Sequence, residues 1–243
     1  MSLVKEIKKI KNYPQIKYNF LCGYLISDRI SPYLSSMFIK RKVIPNKITL
    51  YMIYSGILGG ILFSFANVWL KLLGAVFIHL WFILDSSDGE VARYTKTFSK
   101  CGREIDFIAH LINHPIFGFA MFMSLMQLGR YNIYFLAPLV FSTVLLDSMH
   151  RNLLTLNILV DTKENNAPAQ ESNGRRSLKD KISIFIKLFS VHPNLVLFGV
   201  IVYFIDYFTG TDILLWYIII YVFFSLLFLI KAIIKTTKRF YTS

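Results

Sequence analysis

Six apolar runs divide this chain. They fall near residues 49–66, 69–86, 105–128, 132–155, 192–209 and 212–234, each close to the ~20 residues a helix needs to cross a bilayer. Hydrocarbon offers no partner to backbone amides, so runs of this length are read as membrane helices. Short polar turns join several of them: Ala66-Asn67, Gly129-Arg130 and Thr209-Gly210-Thr211. Two earlier segments carry narrower apolar faces. In residues 1–12, Leu3, Val4, Ile7 and Ile10 recur at helical spacing against Lys5, Lys8, Lys9 and Lys11. That is the pattern of a basic amphipathic helix on an anionic membrane face, with a solvated tail as the alternative. Pro14 ends it. In residues 28–42, Ser31-Pro32 reads as a helix start, and Ile30, Tyr33, Leu34, Met37 and Phe38 form one face. Residues 161–177 are polar and read as a loop, and 178–190 as a short amphipathic helix. The expected fold is an all-α integral membrane protein. Residues 1–48 would be its interfacial segment, 49–234 its six-helix transmembrane domain and 235–243 a basic tail.

Composition agrees with that class. Of 243 residues, 55% are hydrophobic, and the mean hydropathy is +0.51, too apolar for an ordinary soluble domain. The formal charge of +13 would suggest nucleic acid as the partner of a soluble protein. In a membrane protein it reads instead as positive-inside topology and contact with anionic lipid, so membrane lipids are expected partners and nucleic acid is not. Six spans put both termini on one side. That side takes ten Lys and Arg before Thr49, four in the segment after the second span, seven from Arg151 to Lys187 and four after residue 230. Only Lys71 and Arg130 fall toward the other face, so the termini are expected in the cytoplasm. Cys22 and Cys101 imply no disulfide framework, and a charged segment rather than a secretory signal precedes the first span.

The polar positions concentrate between the second and third spans. Residues 85–110 read DSSDGEVARYTKTFSKCGREIDFIAH and hold Asp85, Asp88, Glu90, Glu104 and Asp106, five of the fourteen acidic residues. Ionisable groups at the edge of a span are costly and mark functional sites. Asp85 and Asp88 share a helix face, as do Asp106 and His110 on the next helix. Gly89 would let backbone and ligand approach closely, and Gly102 would open the second helix. Two facing helix ends can thus converge three carboxylates and an imidazole. Such oxygen-rich sets suit magnesium-like cations, often together with substrate phosphates.

This window resembles the signature of the CDP-alcohol phosphotransferases (CDP-alcohol phosphatidyltransferases), membrane enzymes of lipid-headgroup transfer. Asp85, Asp88, Gly89, Ala92, Arg93, Gly102 and Asp106 stand in the family's register, and His110 stands where the family carries its fourth aspartate. A Pro45-Asn46-x-x-Thr49 start to the first span also resembles the family, where it lies near the nucleotide; as plain sequence it is a helix cap. The resemblance implies a six-helix transferase with a polar cavity open to the cytoplasm, and a homodimer. It would move a phospho-alcohol from a CDP-alcohol to an acceptor alcohol with release of CMP, using Mg2+ or Mn2+. It implies metal ligands at Asp85, Asp88, Asp106 and His110, and a nucleotide or donor site over Asn46, Thr49, Asp85, Gly89, Ala92, Arg93 and Gly102.

His110 takes the place of the catalytic base, with Asp106 beside it. An imidazole accepts protons near neutrality and can also ligate a metal. Losing one carboxylate should loosen one metal position, and a packing role for His110 is the rival. His114 extends the face of Asp106 and His110, where a zinc site competes with helix packing beside Pro115. Arg151, Arg175, Arg176 and Lys181 are candidates for an acceptor phosphate or for topology anchors, and Asp147 and His150 for the acceptor pocket. A transporter or inactive scaffold built on the same acids, or a metal-dependent hydrolase, would carry the same residues.

Overall fold

The computed structural model describes residues 3–11, 23–99, 101–163 and 191–242, and these contain helices and no strand. A short α1 (Leu3–Lys11) and, after a π-turn at Gly23–Ser27, α2 (Asp28–Lys40) precede six longer helices. These are α3 (Pro45–Ser64), α4 (Val68–Thr95), α5 (Gly102–Gln127), α6 (Ile133–Lys163), α7 (His192–Thr209) and α8 (Ile213–Thr242). All six are long and apolar enough to cross a membrane. The chain is therefore an all-α, multi-pass membrane protein.

Hydropathy located the spans, but hydrogen bonding sets the helix ends. Pro45 sits in the first turn of α3, where its missing N–H costs nothing. Asn67 caps α4 by accepting from Trp69 N at 2.9 Å and Leu70 N at 3.2 Å. The α4 helix then runs past its apolar part to Thr95 and carries the polar motif on its last turns. Likewise α6 reaches Lys163, so residues 161–163 are helical rather than loop, and α8 continues through most of the segment read as a tail. Ser31-Pro32 is not the start of α2: the helix begins at Asp28 and Pro32 lies inside it. The proposed helix at 178–190, Cys22 and Pro14 lie outside the described residues.

The bundle is tightest where α3 packs on α4 and on α5, and α7 packs against α4, α5, α6 and α8. Small residues allow this. A Cβ on Gly74 would stand 2.5 Å from Phe63 N, and one on Gly59 would stand 2.8 Å from Ile78 N, so α3 and α4 meet backbone to backbone. Trp81, Met52, Phe63, Phe117, Leu125 and Tyr203 fill the interior around them.

Polar staples close both ends. At one end the carboxylate of Asp206 accepts from Ile213 N at 3.0 Å and Leu214 N at 2.8 Å, tying α7 to the start of α8. Arg130 donates to the carbonyls of Thr211 and Asp206, and Tyr131 donates to Asp212. Burial, then that carboxylate, pushes the Tyr131 phenol up from its usual range, so it stays a donor. At the other end, the buried carboxylate of Glu90 on α4 accepts from Ser31 and Ser35 of α2, each at 2.6 Å. Ile7 of α1 is buried, and Tyr94 donates to Glu6 at 3.0 Å. The two N-terminal helices are therefore docked on the bundle at the motif end.

Candidate active site

The last turns of α4 and the first turns of α5 face each other, and α3 begins beside them. On α4, Asp85 and Asp88 lie one turn apart; on α5, Asp106 and His110 do the same. His110 Nε2 lies 3.5 Å from Asp85 Oδ1 and 3.5 Å from Asp106 Oδ1. Donor atoms of Asp85, Asp106 and His110 all fall within 4.8 Å of one another. Asp88 stands outside that group; its Oδ2 accepts from Thr49 Oγ1 at 2.8 Å. Thr49 thus holds the second motif carboxylate rather than capping its own helix, whose N-cap is Ile44.

The remaining motif residues have distinct places. The Arg93 guanidinium folds over Gly89: its nitrogen would lie 3.1 Å from a Cβ there, so the glycine makes room for it. Ala92 is half-buried on the same stretch. Gly102 opens α5 as expected, and Asn46 Nδ2 donates to Ser99 Oγ at 3.1 Å, which joins the start of α3 to the α4–α5 turn. Arg175, Arg176 and Lys181 lie outside the described residues, and His150 is exposed.

A second buried polar group continues from the first. His110 Nδ1 lies 3.2 Å from His114 Nε2, and His114 Nδ1 lies 2.6 Å from Asp147 Oδ2 on α6. Arg151 closes the series, with Nε donating to Asp147 Oδ2 at 3.0 Å and a terminal nitrogen 3.4 Å from His114 Nε2. His192, in the first turn of α7, stacks on His114 at 4.2 Å between ring centres. Trp81 sets its ring edge-on against both His110 and His114. Between α5 and α6 a cavity of about 70 Å³ is lined by His110, His114, Asp147 and Arg151, with Phe107 and Val144 on its apolar side. Asp147 thus lines a cavity together with His110, and His114 has polar partners in addition to its helix packing. His192 and Trp81 were missed: they join this group through contacts distant in sequence, and neither sits in a motif.

Two carboxylates and an imidazole within ligand distance of one another are a donor set that fits a divalent cation. His110 does not change that fit in kind, but it supplies nitrogen where a fourth oxygen would stand.

Six membrane-length helices, with a polar group that could hold a metal at one end, define an integral membrane protein. The model of the CDP-alcohol phosphatidyltransferase family matches residues 42–223, and the chain belongs to that family. It is therefore a membrane phospho-alcohol transferase of a family that is metal-dependent in general. No curated protein gives a significant match to the chain.

Proposed function

We propose that the protein transfers a phospho-alcohol from a CDP-alcohol donor to an acceptor alcohol and releases CMP, in the synthesis of a phospholipid or a related headgroup. The observation that carries this reading is the convergence of Asp85, Asp106 and His110 between α4 and α5, within the stretch that matches the family. Asp85 and Asp106 would hold Mg2+ or Mn2+, with Asp88 steadied nearby by Thr49, which leaves the Nε2 lone pair of His110 free for the proton of the acceptor. When bound, the ion neutralises pyrophosphate charge and polarises the phosphorus under attack.

The chain's own residues supply the rest. Arg93, Asn46 and the backbone at Gly89 lie on the donor side, where a guanidinium can meet phosphate oxygens. Arg151 and the apolar wall of the α5–α6 cavity lie on the acceptor side. His110 belongs to both, since it closes the carboxylate cluster and lines the cavity. The acceptor oxygen forms a bond to the phosphorus that carries the alcohol. The bond from that phosphorus to CMP breaks, and the hydroxyl proton passes to His110 Nε2. Holding the two substrates in line provides most of the acceleration.

Purified protein incubated with a panel of CDP-alcohols and acceptor alcohols, with Mg2+ or Mn2+, tests this by CMP release. Release that requires both an acceptor and the divalent ion is expected. Release with water alone would identify a hydrolase. Solute flux across vesicles without CMP would identify a transporter.

A further inference from the structure

The buried series beyond His110 has a direction, and it bears on which ring nitrogen of His110 carries the proton. One end is fixed by Asp147. Its Oδ2 accepts from Arg151 Nε at 3.0 Å, so it is an ionised acceptor, and His114 Nδ1, 2.6 Å from the same oxygen, must be the donor. A neutral His114 then has only a lone pair on Nε2. Arg151 agrees independently: a guanidinium can only donate, and its terminal nitrogen lies 3.4 Å from that same Nε2. His110 Nδ1, at 3.2 Å the nearer neighbour of that lone pair, is the donor to it and carries its proton, since two facing lone pairs would repel. The lone pair of neutral His110 is left on Nε2, the atom that lies 3.5 Å from both Asp85 and Asp106.

We infer that Asp147 and His114 are positioning residues that lock His110 in the tautomer with its proton on Nδ1, so that its Nε2 lone pair faces the Asp85–Asp106 carboxylates. An aspartate needs no such device, because either of its oxygens can serve. A histidine does, since the wrong tautomer would present an N–H to the site, where it would tie up the carboxylates that hold the ion and could accept no proton. His192, stacked on His114, and Trp81, edge-on to both rings, hold the two imidazole planes so that the series stays aligned. The inference rests on the transferase reading only for what the Nε2 lone pair then does.

Full-length protein in detergent, titrated with Mn2+ alone by electron paramagnetic resonance, provides the test. Asp147→Asn keeps the shape but adds an amide donor that permits the reversed order of protons. It is expected to weaken Mn2+ binding by about 10- to 100-fold, the usual effect of losing an outer-shell partner. In a His110→Asp background the same Asp147→Asn change should alter the dissociation constant by less than about 3-fold, because no tautomer remains to be set. Equal weakening in both backgrounds, or none in either, would overturn the inference. Nitrogen-15 spectra of histidine-labelled, metal-free protein, followed up to the pH at which His110 is neutral, give a second measure. Neutral His110 should show protonated Nδ1 and bare Nε2, and the opposite pattern refutes the relay even if Asp147→Asn does not fold. Wild-type protein that binds no Mn2+ would count against the transferase site, while the spectra still decide the tautomer.

Discussion

At the scale of the residue, His110 carries the chemistry that distinguishes this chain. It is buried, its Nε2 meets two carboxylates, and its Nδ1 is engaged by His114. His110→Ala removes the proton acceptor and is expected to lower kcat for CMP release by roughly 10²- to 10⁴-fold, the range for loss of a general base. Turnover at the wild-type rate in that variant would exclude the base role. His110→Asp restores a carboxylate at the fourth motif position, so it should retain more activity than the alanine variant and bind Mn2+ more tightly than wild type. The register of Asp85, Asp88, Gly89, Asp106 and His110 was readable in the sequence because spacing on a helix fixes which side chains share a face. The partners of these residues were not. Thr49 meets Asp88 across 39 positions and His114 meets Asp147 across 33, and no local pattern encodes such pairs.

At the scale of the element, α2 is held by hydrogen bonds to a buried carboxylate as well as by the apolar packing of Phe38, Leu34 and Met37. Its Ser31 and Ser35 both donate to Glu90 on α4, next to Gly89 and Asp88 of the motif, and Ser27 adds a contact to Ser86 at 2.7 Å. Removing donors from a buried carboxylate costs about 1–3 kcal/mol for each. The double change Ser31→Ala, Ser35→Ala is therefore expected to lower the thermal midpoint in detergent clearly. Ser36→Ala, which loses only a local bond to the Tyr33 carbonyl, should change it little. Equal midpoints for the two variants would mean that Glu90 does not anchor α2. The sequence pointed to an apolar interfacial helix here, because apolar spacing is the strongest periodic signal in 28–42. It gave no hint that two serines on the same helix would be the grip. The span boundaries show the same limit. Hydropathy marks where lipid contact ends, whereas α4 continues to Thr95 because its backbone ladder does not depend on side-chain polarity.

At the scale of the whole molecule, orientation decides whether a nucleotide donor can reach the site. Lys71 and Arg130, the two cations assigned to the face away from the motif, are both tied to protein acceptors. Lys71 is buried and donates to the Phe63 carbonyl at 2.8 Å and to Ser124 Oγ at 2.7 Å, where it serves the unpaired carbonyl end of α3. Arg130 is taken up by the α7–α8 turn. The Lys and Arg that the sequence assigns to the motif end thus outweigh those of the other face, and we propose on that ground that the motif end faces the cytoplasm. Cys101, exposed in the turn between α4 and α5, is a natural reporter of this. In a Cys22→Ser background, a membrane-impermeant maleimide should label Cys101 only after expressing cells are permeabilised. Ala66→Cys in a background lacking both natural cysteines, exposed in the turn between α3 and α4, should be labelled in intact cells. The reverse pattern would put the carboxylate cluster outside the cell, away from the compartment where nucleotide-activated donors are made. The transfer reaction proposed for Asp85, Asp106 and His110 would then have no donor to act on.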